Sequence, residues 1–180
     1  MGKFLFAAAA LLAASPAAAA VTVLGNSSAR MCYEAAESRG TPSLTVIRTC
    51  DEAMRSEALS EYDRVATLVN RGILKARLGH LEEAIVDYDA ALERDPSEAE
   101  AYLNKGFALL RFPDASLARP LFDSALENKT RRPELAYYGR AVANELSGEV
   151  RAAYEDYRQA SLLNPKWRDP KADLARFSVK

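Results

Sequence analysis

Histidine is almost missing from this chain: its 180 residues hold one, His80, at a Gly79-His80 step. A nucleophilic triad or a metal centre needs several converging His, Cys, Asp or Glu groups, and a single histidine at a helix break reads as an exposed turn residue. Cysteine is nearly as scarce. Cys32 and Cys50 are the two present, and they do not form a C-x-x-C motif, which argues against a redox-active pair. No P-loop, dinucleotide fingerprint or zinc spacing occurs. Glu82-Glu83 and Asp87 with Asp89 read as solvated helix faces, since paired-carboxylate catalysis needs a cleft and separated pKa values. No catalytic residue, metal ligand or cofactor is therefore expected. An excess of either charge is also absent, with 24 Lys and Arg against 25 Asp and Glu. Nucleic acid recognition normally requires a clustered basic surface, so no nucleic acid partner is expected.

Long apolar runs are missing too, apart from the one from Phe4 to Ala14 that follows Lys3. It is shorter than the roughly 18 residues of a membrane span. With Ser15-Pro16, the alanines and an Ala18-x-Ala20 site, residues 1–20 read as a secretory signal cleaved before Val21. No cysteine follows that site, so lipid attachment is not expected. The mature chain would keep 23 basic residues, the 24 less Lys3, against 25 acidic ones, a net charge of −2. A soluble protein, periplasmic or secreted, is the expectation.

What the chain does have is a repeat. Shifting 65–98 by 34 residues onto 99–132 pairs Asn70, Gly72, Arg77, Ala84, Asp89, Ala91, Leu92 and Glu93 with identical residues from Asn104 to Glu127. Tyr88 meets Phe122. A third copy at 134–167 supplies Ala141, Gly148, Ala153, Tyr157, Ala160 and Pro165 for Gly72, Gly79, Ala84, Tyr88, Ala91 and Pro96. A small residue in a first helix, Ala-x3-aromatic in a second and a late proline resemble the tetratricopeptide repeat (TPR). The resemblance covers residues 60–167. It implies an all-α, right-handed solenoid of helical hairpins. Departures are Pro113 in place of the turn glycine, Thr130 in place of the closing proline, and Arg71 and Lys75 at places that are usually apolar.

Around the repeats, 21–28 lacks periodicity and is expected to form a flexible mature N-terminus. Residues 29–59 read as a degenerate helical hairpin, with Thr41 capping its second helix and Pro42 in the first turn. Both cysteines lie about nine residues from that turn, which places them opposite each other in antiparallel helices. A Cys32–Cys50 disulfide is expected on export, against the alternative of two buried thiols. Ser60 with Asp63, and Ser97 with Glu100, read as helix caps. Pro120 should delay or bend its helix between Ser116 and Pro120. Residues 168–180 should form a capping helix that covers the end with Leu174, Phe177 and Trp167.

The resemblance also implies that first helices line a concave groove. Carried onto this chain, its wall includes Val69, Asn70, Ile73, Arg77, Leu103, Asn104, Phe107, Arg111, Tyr138, Val142 and Glu145. Asn70 and Asn104 can donate to and accept from an extended backbone. Arg77 and Arg111 could pair with a carboxylate or favour helix C-termini, and Leu103 and Phe107 could equally be core. Val69 and Ile73 stand where the chaperone-tail clamp of one family subgroup needs Lys and Asn, so that specificity is not expected. The implied function is a non-catalytic module that binds a protein or peptide segment of an envelope partner. The alternative is a structural element that self-associates.

Overall fold

The computed structural model describes residues 19–23, 27–56 and 58–177. Most of the expected signal, residues 1–18, lies outside these, as do residues 178–180 of the expected cap. The helices are α1 (Ser28–Glu37), α2 (Leu44–Ser56), α3 (Glu61–Arg77), α4 (Leu81–Arg94), α5 (Ala99–Leu109), α6 (Arg119–Glu127), α7 (Pro133–Leu146), α8 (Val150–Leu163) and α9 (Asp169–Leu174). Consecutive helices pair as hairpins, α1 with α2 through α7 with α8, and α9 closes against α8. The result is a TPR-like all-α solenoid. The first helices α1, α3, α5 and α7 also touch one another in succession. Among the described residues α4, α6 and α8 make no comparable mutual contact, so the stack curves with the first helices on its inner side.

Local chemistry sets most of the helix ends. The Ser60 hydroxyl accepts the Asp63 N–H at 3.1 Å, satisfying a donor that the first turn leaves unpaired. Gly79 and Gly148 turn the chain at φ 87° and 79°, where a Cβ would be strained. Pro120 acts as expected: a 3-10 turn, Ala115–Ala118, precedes α6, and the proline sits in the first turn of that helix. Two expected caps differ. α2 starts at Leu44, leaving Thr41 and Pro42 outside it. Ser97 bonds Asp95 instead of capping α5; the cap is Glu98, whose carboxylate accepts the Glu100 N–H at 3.1 Å. An Asp two residues before Ser97 competes for its hydroxyl.

The packing rests on rings seated over glycines. A Cβ on Gly72 would come within 2.5 Å of the Tyr88 ring. Phe122 lies between two such sites, 2.8 Å from a Cβ built on Gly106 and 2.3 Å from one on Gly139. One ring thus joins the second repeat to the third. Tyr157, opposite Ala141, is also fully buried and stacks edge-on against Tyr138 at 5.5 Å. Leu174 and Phe177 pack on Val142 and Tyr157 at the closing end. Cys32 and Cys50 form a disulfide between α1 and α2.

Asp87 is buried, contrary to the solvated face expected from the sequence. Arg71 Nε and Nη2 reach it at 2.9 and 2.5 Å, and Lys75 Nζ at 2.9 Å. Arg71 and Lys75 therefore occupy usually apolar places because a carboxylate neutralises them there. The third repeat repeats the device, with Arg140 Nε and Nη2 on Asp156 at 2.8 and 2.7 Å. The bond to Asp156 holds the Arg140 guanidinium above its ordinary pKa despite burial. Between hairpins runs a second series: Arg71 to Asp51, Lys105 to Asp89 and Arg140 to Asp123.

Gly106→Leu is expected to destabilise by about 1–3 kcal/mol through overpacking against Phe122, read as a lower thermal midpoint by circular dichroism. Asp87→Ala takes the buried carboxylate from Arg71 and Lys75, leaving them Asp51 and a more distant Glu83, and should cost about 3 kcal/mol, measured by urea unfolding. Replacing both cysteines by serine should lower stability by ~3 kcal/mol, with no further loss on adding reductant.

Candidate functional site

The inner face of the stack carries a short extended segment of the chain itself. Residues 19–23 have no helical structure, and Ala19, Ala20, Val21 and Val23 are all buried. The expected flexible terminus is thus fixed at Val21–Val23, while 24–26 lie outside the described residues. Of Val21, Thr22 and Val23, Thr22 is the least buried.

Two repeat-related asparagines hold this backbone. Asn70 accepts the Val21 N–H at 2.9 Å and donates to the Val21 carbonyl at 2.7 Å. That two-way exchange is what one residue of an antiparallel strand offers another. Asn104 donates to the Ala19 carbonyl at 3.0 Å and to the Glu100 carbonyl of its own helix at 2.7 Å. The spacing has a geometric basis. Carbonyls two residues apart on an extended chain point the same way about 7 Å apart, close to the ~8–10 Å between packed helices. An amide from each of α3 and α5 can therefore reach alternate carbonyls.

The intervening carbonyl faces a different donor. Arg131, in the loop before α7, donates from Nη2 to the Ala20 carbonyl at 3.1 Å. Its position is fixed by Glu100, 2% exposed, which accepts the Arg131 N–H at 2.9 Å and Nε at 3.2 Å. Arg131 and Glu100 were not among the residues that the sequence pointed to. The loop arginine falls at a register position held by Ser97 and Lys166 in the other copies, so no identity marks it, and Glu100 reads simply as a cap.

The other expected groove residues divide into three sets. Ile73, Leu103 and Val142 are fully buried in the core clusters, as is Val69. Phe107 and Tyr138 are half-buried; Phe107 meets the Phe122 ring edge-on at 5.1 Å, and Tyr138 lies 4.7 Å from Trp167. The arginines are occupied by backbone. Arg77 Nη1 donates to the Ser38 carbonyl at 2.7 Å, and Arg111 Nη1 to the Ala76 carbonyl at 2.8 Å. Each caps the end of the preceding first helix, where carbonyls lack intrahelical partners. Burial holds Arg77 below the usual guanidinium pKa. Glu145 accepts from Tyr157 and Arg176. His80 is exposed beside Glu83.

Among the described residues no group of three or more His, Cys, Asp or Glu is placed to hold a metal. No helix among them is long and apolar enough to cross a membrane.

Residues 74–111 match the family model described as TPR repeat. Over 127 residues the chain is 33% identical to serine/threonine-protein phosphatase 5 of Homo sapiens and 35% identical to that of Rattus norvegicus, each match taking in 67% of this chain. The chain spans 23% of the length of these relatives, so a phosphatase activity does not come with the likeness. A solved structure titled MamA RS-1 ArsTM double mutant superposes with a TM-score of 0.63 at 24% identity, covering 73% of this chain and 71% of that one. The likeness there is one of fold.

Asn70→Ala leaves the buried Val21 N–H without its acceptor and is expected to cost about 1–3 kcal/mol. A lower urea midpoint at an unchanged m-value is the readout.

Proposed function

Because residues 74–111 match the TPR repeat model within a TPR-like stack, we propose that this chain is an exported, non-catalytic module that takes up an extended segment of an envelope protein along its inner face. A stack of this kind suggests a protein-interaction module. The observation that carries the finer reading is the backbone of residues 19–21 lying across α3 and α5 on Asn70, Asn104 and Arg131. Amide and guanidinium donors aimed at carbonyls read a main chain whatever its side chains, the general mode of strand-like peptide recognition.

Export is supported by the basic start, the short apolar run and the Ala18-x-Ala20 site, and by a disulfide suited to an oxidising compartment. Cleavage after Ala20 removes the two carbonyls that Asn104 and Arg131 hold. Those donors then face the partner's backbone, and the Asn70 bonds to Val21 are what remains of the docked segment to be displaced. The paired Arg77 and Arg111 give little reason for an acidic ligand, since both already bond helix-end carbonyls.

One observation favours self-association as a second reading. Leu146, Val150, Leu162 and Leu163 of the third repeat are 44–61% exposed, enough apolar surface to meet another copy.

A photo-crosslinking residue placed at Arg111, and separately at Val86 on the outer side, tests the function in the native compartment. An adduct with an envelope protein from position 111 and none from 86, on a chain whose intact mass begins at Val21, is the expected result. Adducts from 86 alone, or from neither, remove the reading; an adduct with a second copy favours assembly.

A further inference from the structure

The inner face is already filled, and what fills it states what the site accepts. We propose that residues 19–23 are a built-in occupant of the groove, and that its partner is an extended, uncharged segment of small and β-branched residues that enters only by displacing them. This rests on the interaction-module reading above and specifies its ligand.

The chemistry follows from the contacts. All three carbonyls from Ala19 to Val21 are taken by side-chain donors, and the Val21 N–H is accepted in return. Val21 and Val23 are 1% and 5% exposed and sit in the same cluster as Val65 and Ile73. Ala19 is packed in the cluster that contains Leu103. A methyl at 19 and branched carbons at 21 and 23 fill these places, and a charge there would be desolvated without a partner. Among the described residues, Arg131 is neutralised by buried Glu100, and Arg77 and Arg111 are each turned to a helix-end carbonyl.

The occupant is tethered. Residues 24–26 are all that separate Val23 from Ser27 at the start of α1. A tether this short gives an effective concentration on the order of millimolar. A free segment of equal intrinsic affinity, present at micromolar levels, therefore loses the competition. Loss of Ala19 and Ala20 by cleavage removes two of the three carbonyl bonds and shifts that balance toward the partner.

The test uses the full chain, natural and as Val21→Asp/Val23→Asp, with a labelled, end-blocked peptide of residues 17–25. Fluorescence anisotropy should show the double variant binding the peptide at least about tenfold more tightly than the natural chain, since its competent fraction is no longer occupied. Adding Asn104→Ala should weaken that binding by roughly tenfold, the scale of one lost hydrogen bond. The same peptide with aspartate at both valine positions should not bind. Equal affinity for both chains, no binding to a double variant that retains its helical circular dichroism, or equal binding of the acidic peptide would each overturn the proposal.

If the double variant does not fold, amide exchange on the natural chain decides. Protection at Val21 that falls on adding excess peptide supports displacement; a Val21 amide that exchanges at free-peptide rates, or protection unmoved by peptide, refutes it. Peptide exchange without crosslinks to an envelope protein would leave this inference standing and remove the broader reading. Crosslinks on a chain with unprotected Val21 would do the reverse.

Discussion

A ring resting on a residue without a side chain sets the dimensions of this molecule. Tyr88 over Gly72 and Phe122 between Gly106 and Gly139 let the first two repeats close, and the second meet the third, at a distance that a Cβ at those positions would prevent. These contacts set α3 on α4, α5 on α6 and α6 on α7. The interval between α3 and α5 decides whether Asn70 and Asn104 reach carbonyls two residues apart on one extended chain. The glycines seat each of these first helices on its return helix, and the asparagines on the opposite side of α3 and α5 hold the backbone of residues 19–21.

Polar contacts keep the hairpins in register without supplying the core. Asp51, Asp89 and Asp123 each receive a cation from the first helix of the next hairpin. Arg77 and Arg111 reach back to carbonyls at the end of the preceding first helix. Contacts of this kind specify which surface meets which, and a repeat array needs that specification at every interface because each unit touches only its neighbours.

The fold was legible because its determinants recur at a fixed period. Gly72 with Tyr88 and Gly106 with Phe122 announce a small-to-large pairing twice over, and Gly79 and Gly148 mark the turns. The site was legible in part. Asn70 and Asn104 could be read as backbone-binding amides from their chemistry and register, but what they hold could not. Residues 19–23 carry the alanine-rich composition of a leader and its end, and nothing in that composition speaks of a docked strand. Arg131 was hidden for another reason: its register position holds Ser97 and Lys166 in the other copies, so it leaves no repeated identity. Asp87 was misjudged because a carboxylate on a helix looks solvated until α3 brings Arg71 and Lys75 over it.

The second repeat departs from its neighbours in one further way. Leu121 stands where the first and third repeats have Asp87 and Asp156, so Lys105 has a carboxylate in the preceding hairpin but none in its own. Its return helix is also the shortest of the three, nine residues against fourteen, behind a 3-10 turn. The middle hairpin therefore lacks the internal carboxylate that ties first helix to return helix in the repeats on either side of it. Asn104 thus stands on a helix that meets its return helix through the Phe122 ring on Gly106, where its neighbours add an ion pair to the same junction.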